Sequence, residues 1–232
     1  MFYLWPDYYY IILVVPAIIL SLIAQANVKG TYSKFAKIAN RQGLTGAMAA
    51  ERVLSYYGIQ NVRIEQVGGK LTDHYDPRSN VIRLSPQVFA GSSIASVGIA
   101  CHEAGHAAQH AENYIPIKIR NKILPVANIG SSVGIWMALF GYILGFGILV
   151  NIGIILYAFV TVFQLVTLPI EFNASARAMR VIDETGMLYE SEQKGARKML
   201  TAAAMTYVAA LLTSIASLLR LILRFNRQNN RR

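Results

Sequence analysis

Long uncharged stretches alternate with charged ones along this chain, and the lengths of the uncharged stretches set most of its architecture. Tyr8 to Asn27 contains no Lys, Arg, Asp or Glu, and about 20 apolar residues are enough to span a hydrocarbon core. Ala127 to Ile170 is again free of charge, a length that fits two spans joined by a tight turn. The turn is expected near Gly145-Phe146-Gly147 or Asn151-Ile152-Gly153. Gly130 and Gly134, and again Gly141 and Gly145, permit close packing inside this hairpin. Thr201 to Leu219 is a fourth apolar run, in which Ala202, Thr206, Ala210 and Ser214 repeat every fourth residue as a small-residue contact face. The pattern predicts about four transmembrane helices.

The polar part between the first span and the hairpin has its own periodicity. Thr45 caps a predicted helix that runs to Tyr57 and closes at Gly58, with Ala47, Ala50, Val53, Leu54 and Tyr57 on its apolar side. Strands are expected at Asn61 to Val67, Lys70 to Tyr75 and Val81 to Ser85, separated by Gly68-Gly69 and by the turn Asp76-Pro77-Arg78-Ser79-Asn80. Together they predict a small antiparallel sheet. Val81 to Ser85 is a candidate edge strand for aligning an extended peptide, the alternative being that the sheet only covers a helix. Ser92-Ser93 then offers an N-cap for a proline-free helix from Ile94 to Ala111.

The fold class expected is therefore a mainly α integral membrane protein with a small sheet. Its parts are an anchor (residues 1–28), a polar part (29–124), a hairpin (125–170), a returning helical region (171–200), and an apolar helix with a basic tail (201–232).

Composition supports a bilayer. The 232 residues are 54% hydrophobic and 15% charged, with a mean hydropathy of +0.39, too apolar for an ordinary soluble domain. Ala24-Gln25-Ala26 imitates a signal-peptidase site, but no basic region precedes Tyr8, so the first span reads as a retained anchor. Trp5, Pro6, Tyr8, Tyr9 and Tyr10 suit an interfacial aromatic belt. Residues 29–122 carry twelve Lys and Arg while the first 28 carry none, which places the polar part in the cytoplasm and the amino terminus outside. A two-span hairpin then returns Glu171 to the same side. The five arginines from Arg220 onward fit a complete last crossing poorly, so that helix is either partial or an exception to the rule.

On a continuing helix Arg220, Arg224, Arg227 and Arg231 would line one side and meet lipid phosphates, unless the tail is simply solvated. The net charge of +10 then calls for lipid head groups as partner, and no nucleic-acid motif accompanies it. A single cysteine, Cys101, excludes an internal disulfide framework and reads as a small buried residue.

Candidate chemistry enters at His102-Glu103-Ala104-Gly105-His106. On a helix the two histidines lie one turn apart on one face, so both imidazoles can reach one zinc ion. Glu103, beside the first of them, can take a proton from a metal-activated water and pass it to a leaving amine. The bland alternative is a partly buried helix with incidental histidines.

A catalytic zinc needs a third protein ligand and an open position. The remaining imidazoles are His74 and His110, and the acids downstream are Glu112, Glu171, Asp183, Glu184, Glu190 and Glu192. Glu171 is favoured, because it follows Pro169 at the hairpin's return, ahead of a predicted helix from Phe172 to Val181; a plain helix-start acid is the alternative. Asn173, Ser175, Arg177 and Arg180 are candidates for orienting Glu171 or stabilising developing charge. His110, one turn beyond His106, and His74 are further candidates for a direct catalytic role.

The blocks Leu71 to Arg78, Ile82 to Ser85, His102 to Gln109 and Leu168 to Ser175 resemble the bacterial membrane-bound neutral zinc metallopeptidase family (YugP-like). With the spans, the resemblance covers nearly the whole chain. It implies a gluzincin-like site with His102, His106 and Glu171 on Zn2+ and Glu103 as general base; the partner expected separately is a protein or peptide substrate associated with the membrane. A more distant similarity is to the HtpX and CAAX-protease metallopeptidases. The chain departs from their E-x-x-x-D pattern, having Ser175 at the acidic position, and Asn173 stands where close relatives would carry aspartate. Two other classes compete with a peptidase: a membrane scaffold with a structural zinc site, and a different metal-dependent membrane hydrolase.

Overall fold

The structure, a computed structural model, describes residues 8–229, with side chains to Arg224. The predicted belt residues Trp5 and Pro6, and the side chains of Arg227 and Arg231, lie outside the described residues. The chain is mainly helical, and its described residues include four helices long and apolar enough to cross a membrane: α1 (Tyr10–Phe35), and, further on, Ile115–Leu144, Gly147–Thr185 and Glu190–Arg224. Between α1 and the second of these come α2 (Gly46–Tyr56), β1 (Arg63–Gln66), β2 (His74–Asp76), β3 (Val81–Leu84), α3 (Pro86–Phe89) and α4 (Ile94–Ala111). The remaining helices are α5 (Ile115–Leu144), α6 (Gly147–Thr185) and α7 (Glu190–Asn229).

These elements belong to two compact units. Among the described residues, the first comprises residues 8–25, 118–168 and 206–229, and the second residues 26–117 and 169–205.

In the first unit glycines of both α5 and α6 set the packing of these two helices. A Cβ on Gly130 would sit 2.1 Å from the Leu156 carbonyl oxygen, and one on Gly153 would sit 2.5 Å from the Ala138 nitrogen, so only glycine lets these backbones come so close. Gly145 does a different job from the packing expected of it. Its φ of 78° ends α5 in a left-handed cap, and α6 starts two residues later, which puts the hairpin turn at the first of the two predicted places. Asn151 to Gly153 lie inside α6. The Thr213 hydroxyl meets Ser21 Oγ at 3.0 Å, a polar clasp between apolar helices.

In the second unit, Thr45 caps α2 by accepting from the Met48 N–H, and Gly58 at φ 66° lets the Ile59 N–H reach back to the Leu54 carbonyl. Val81, Ile82 and Leu84 of β3 are fully buried, and β3 is the centre of a sheet of order β1-β3-β2. The sheet is mixed: β1 runs parallel to β3, with Arg63 opposite Val81, and β2 runs antiparallel, with Tyr75 opposite Ile82. Two expectations are corrected here, the purely antiparallel sheet and Val81 to Ser85 as an edge. A strand paired on both sides has no main-chain groups left for a peptide, whereas β2 is paired on one side only.

Ser93 caps α4 through the Ser96 N–H, and Ala95, Val97, Ala100, Cys101, Ala104 and Ala108 of this helix are fully buried. Small side chains along α4 admit neighbouring helices closely. A Cβ on Gly105 would lie 2.7 Å from the Ala174 carbonyl oxygen of α6. The region expected to begin a fresh helix at Phe172 is instead part of α6, which passes through Pro169 without a break.

Candidate metal centre

Two helices supply the centre. His102 and His106 share one face of α4, and the close approach at Gly105 brings α6 against that face, where Glu171 lies one turn before Ala174. Glu171 Oε2 stands 3.4 Å from His102 Nε2 and 3.6 Å from His106 Nε2. One potential ligand atom from each residue lies within 4.8 Å of the others. Glu171 is 5% exposed, and its Oε2 is shielded from solvent without a hydrogen-bond partner.

A buried carboxylate oxygen left without a partner costs free energy unless a cation satisfies it. Two imidazole nitrogens and one carboxylate are a zinc donor set, so the residues fit that metal. Burial pulls the His106 pKa down, but the carboxylates of Glu171 and Glu103 outweigh it and the net direction is up. A positive charge is therefore favoured at this point.

Glu103 accepts the Tyr75 backbone N–H at 3.0 Å, so edge strand β2 touches the motif directly. The Tyr75 hydroxyl in turn meets His110 Nδ1 at 3.0 Å and Asn80 Oδ1 at 3.1 Å. His74 is exposed, with Nδ1 2.8 Å from the Thr72 carbonyl oxygen. Neither His74 nor His110 belongs to the three-residue cluster.

The residues that follow Glu171 on α6 serve the histidines. Ser175 Oγ lies 3.1 Å from His102 Nδ1, and Asn173 Oδ1 accepts from Gln109 Nε2 at 2.9 Å and from Arg177 Nε at 2.8 Å. Gln109 Oε1 then meets His106 Nδ1 at 3.0 Å. Arg177 also pairs with Glu112 at 2.6 Å, and its guanidinium holds the Glu112 carboxyl below the usual range. Arg180 is exposed on a groove shared with Phe172, Met179, Asp183, Arg197 and Leu200. Gln109 is the participant that sequence reasoning missed as a functional residue. Its signal was an amide side chain one turn after the second histidine of the motif.

The sequence profile described as "Putative neutral zinc metallopeptidase" matches residues 10–226. The chain belongs to that family. It is also 45% identical over 216 residues to the "Putative membrane protease YugP" of Bacillus subtilis (strain 168), a match covering 93% of this chain and 96% of the relative. No solved structure matches it significantly. Family membership and the His102, His106 and Glu171 cluster agree on zinc as the cofactor.

Proposed function

We propose that this protein is a multi-pass membrane zinc endopeptidase of gluzincin type, with His102, His106 and Glu171 as ligands and Glu103 as general base. The observation that carries this reading is the convergence of the three ligand atoms around a buried, partnerless carboxylate oxygen, with Glu103 next to the first ligand. Zinc held there would polarise both a water and the scissile carbonyl. Glu103, steadied by the Tyr75 N–H, takes the proton of the attacking water and delivers it to the leaving amine. The Tyr75 hydroxyl with its His110 partner, His74 and Arg180 are the candidates for a donor to the developing oxyanion.

The site belongs on the cytoplasmic side. Twelve Lys and Arg between residues 29 and 122, against none in the first 28, support that orientation, and the substrate class that follows is a protein or peptide at or in the bilayer. A structural zinc site is disfavoured, because the cluster offers three ligands among the described residues where a structural site closes with four.

The test compares purified wild type with Glu103→Gln on casein and on phospholipid. Proteolysis is expected in the wild type and a loss of about 100-fold or more in the variant, with zinc retained. Full proteolysis by the variant overturns the general-base assignment, and lipid hydrolysis without proteolysis replaces the peptidase reading with another hydrolase.

A further inference from the structure

Behind the ligands, the hydrogen bonds around Gln109 leave no freedom of assignment. The Ile170 carbonyl oxygen only accepts, and it lies 2.8 Å from one terminal atom of Gln109, so that atom is the amide nitrogen. Arg177 Nε only donates, so the Asn173 atom 2.8 Å away is its oxygen, and that same oxygen takes the second Gln109 proton. Both donor hydrogens of Gln109 are thereby used. What faces His106 Nδ1 at 3.0 Å is the Gln109 oxygen. An acceptor there requires a proton on Nδ1, which in the neutral ring that binds a metal leaves the lone pair on Nε2, the atom that points at Glu171. Gln109 is 0% exposed, so water does not substitute for these contacts.

We propose that Gln109 is a positioning residue that holds His106 in its Nδ1-protonated tautomer for metal binding, and that Asn173, clamped by Arg177, holds Gln109 in turn. The inference rests on reading the three-residue cluster as a zinc site. It assigns the two histidines different supports. His102 has a serine hydroxyl, which donates or accepts and so selects no tautomer, whereas His106 has a relay of fixed polarity that ends on the Arg177–Glu112 ion pair. The relay is charge-assisted, because a guanidinium and a carboxylate close its far end. It also tethers α4 to α6 through residues 61 and 64 positions apart.

The experiment uses full-length protein in detergent and measures zinc affinity by competition with a chelating dye, together with the visible spectrum of the cobalt-substituted protein. Gln109→Met keeps the length of the side chain and removes the acceptor; zinc affinity is expected to fall about 10- to 100-fold and the cobalt bands to shift. Asn173→Leu is expected to act in the same direction. Asn173→Asp keeps the accepting oxygens and is expected to bind zinc within about twofold of wild type. Melting of the zinc-free proteins reports any loss of fold separately, since a purely structural role lowers that melting point without changing affinity or spectrum.

Wild-type affinity and spectrum in Gln109→Met, alongside lost zinc in Glu171→Ala, overturns the inference and leaves the site assignment standing. Absence of zinc binding by the wild type overturns both.

Discussion

Replacing Gly105 by alanine probes the contact that joins the two ligand-bearing helices. The added Cβ would lie 2.7 Å from the Ala174 carbonyl oxygen and 3.3 Å from its carbon. Both are backbone atoms of α6, so no rotamer change relieves the clash. Reaching an ordinary contact of 3.4 Å requires α4 and α6 to part by about 0.7 Å. Metal–ligand distances tolerate only about 0.2 Å, and Glu171 sits one turn from Ala174, so the parting is felt at the centre. The expected cost is about 1–3 kcal/mol of stability without metal and about a tenfold or greater loss of zinc affinity. Thermal unfolding in detergent with excess chelator measures the first, and competition with a zinc dye the second. Gly98→Ala is the control, because its Cβ would meet the flexible end of Met199 at 2.9 Å, and it should cost less than about 1 kcal/mol. Wild-type stability and affinity in Gly105→Ala would refute the close-approach argument.

Two further outcomes follow from the surroundings of single groups. Cys101 is fully buried and burial pushes its thiol well above the ordinary value, so it should resist iodoacetamide in the folded protein and react on denaturation. Rapid labelling of native protein, read by mass spectrometry, would contradict this. Asp76 accepts from the Ser79 hydroxyl, the Arg78 N–H and Arg83, which together hold its carboxyl below the ordinary range. Its folded pKa lies below the unfolded one, so its stabilisation is complete above the unfolded value and fades as pH falls through the folded one. Asp76→Asn should therefore melt below wild type at neutral pH, with the gap closing in acid. A gap that is constant across pH would rule out the ionised form as its source.

How much of the centre was legible beforehand depends on whether a role is local along the chain. His102, Glu103 and His106 are one helical turn, and helical spacing alone puts both imidazoles on one face. Glu171 lies 65 residues beyond His106, and it was reachable because the charge-free stretch is long enough for a two-span hairpin, whose expected return puts this acid on the side of the histidines, and a catalytic zinc needs a third ligand. Gln109 was not reachable in the same way. Its role depends on which atoms of Ile170 and Asn173 face it across a helix contact, and residue spacing carries no such information. Strand order failed for a related reason. The turn before Val81 marks Val81 to Leu84 as a strand but does not say that β1 adds on its far side in parallel, and only the structure shows Val81, Ile82 and Leu84 fully buried, as a central strand requires. The helix over Phe172 to Val181 was foreseen, but its fusion with the hairpin was not, since Pro169 reads locally as a boundary and is tolerated inside α6.

The central claim is that His102, His106 and Glu171 together hold zinc. Zinc content per chain, measured by elemental analysis on wild type and Glu171→Ala purified side by side without chelator, tests it most directly. The account predicts about one zinc per chain in the wild type and little in the variant; undiminished zinc in Glu171→Ala would contradict it.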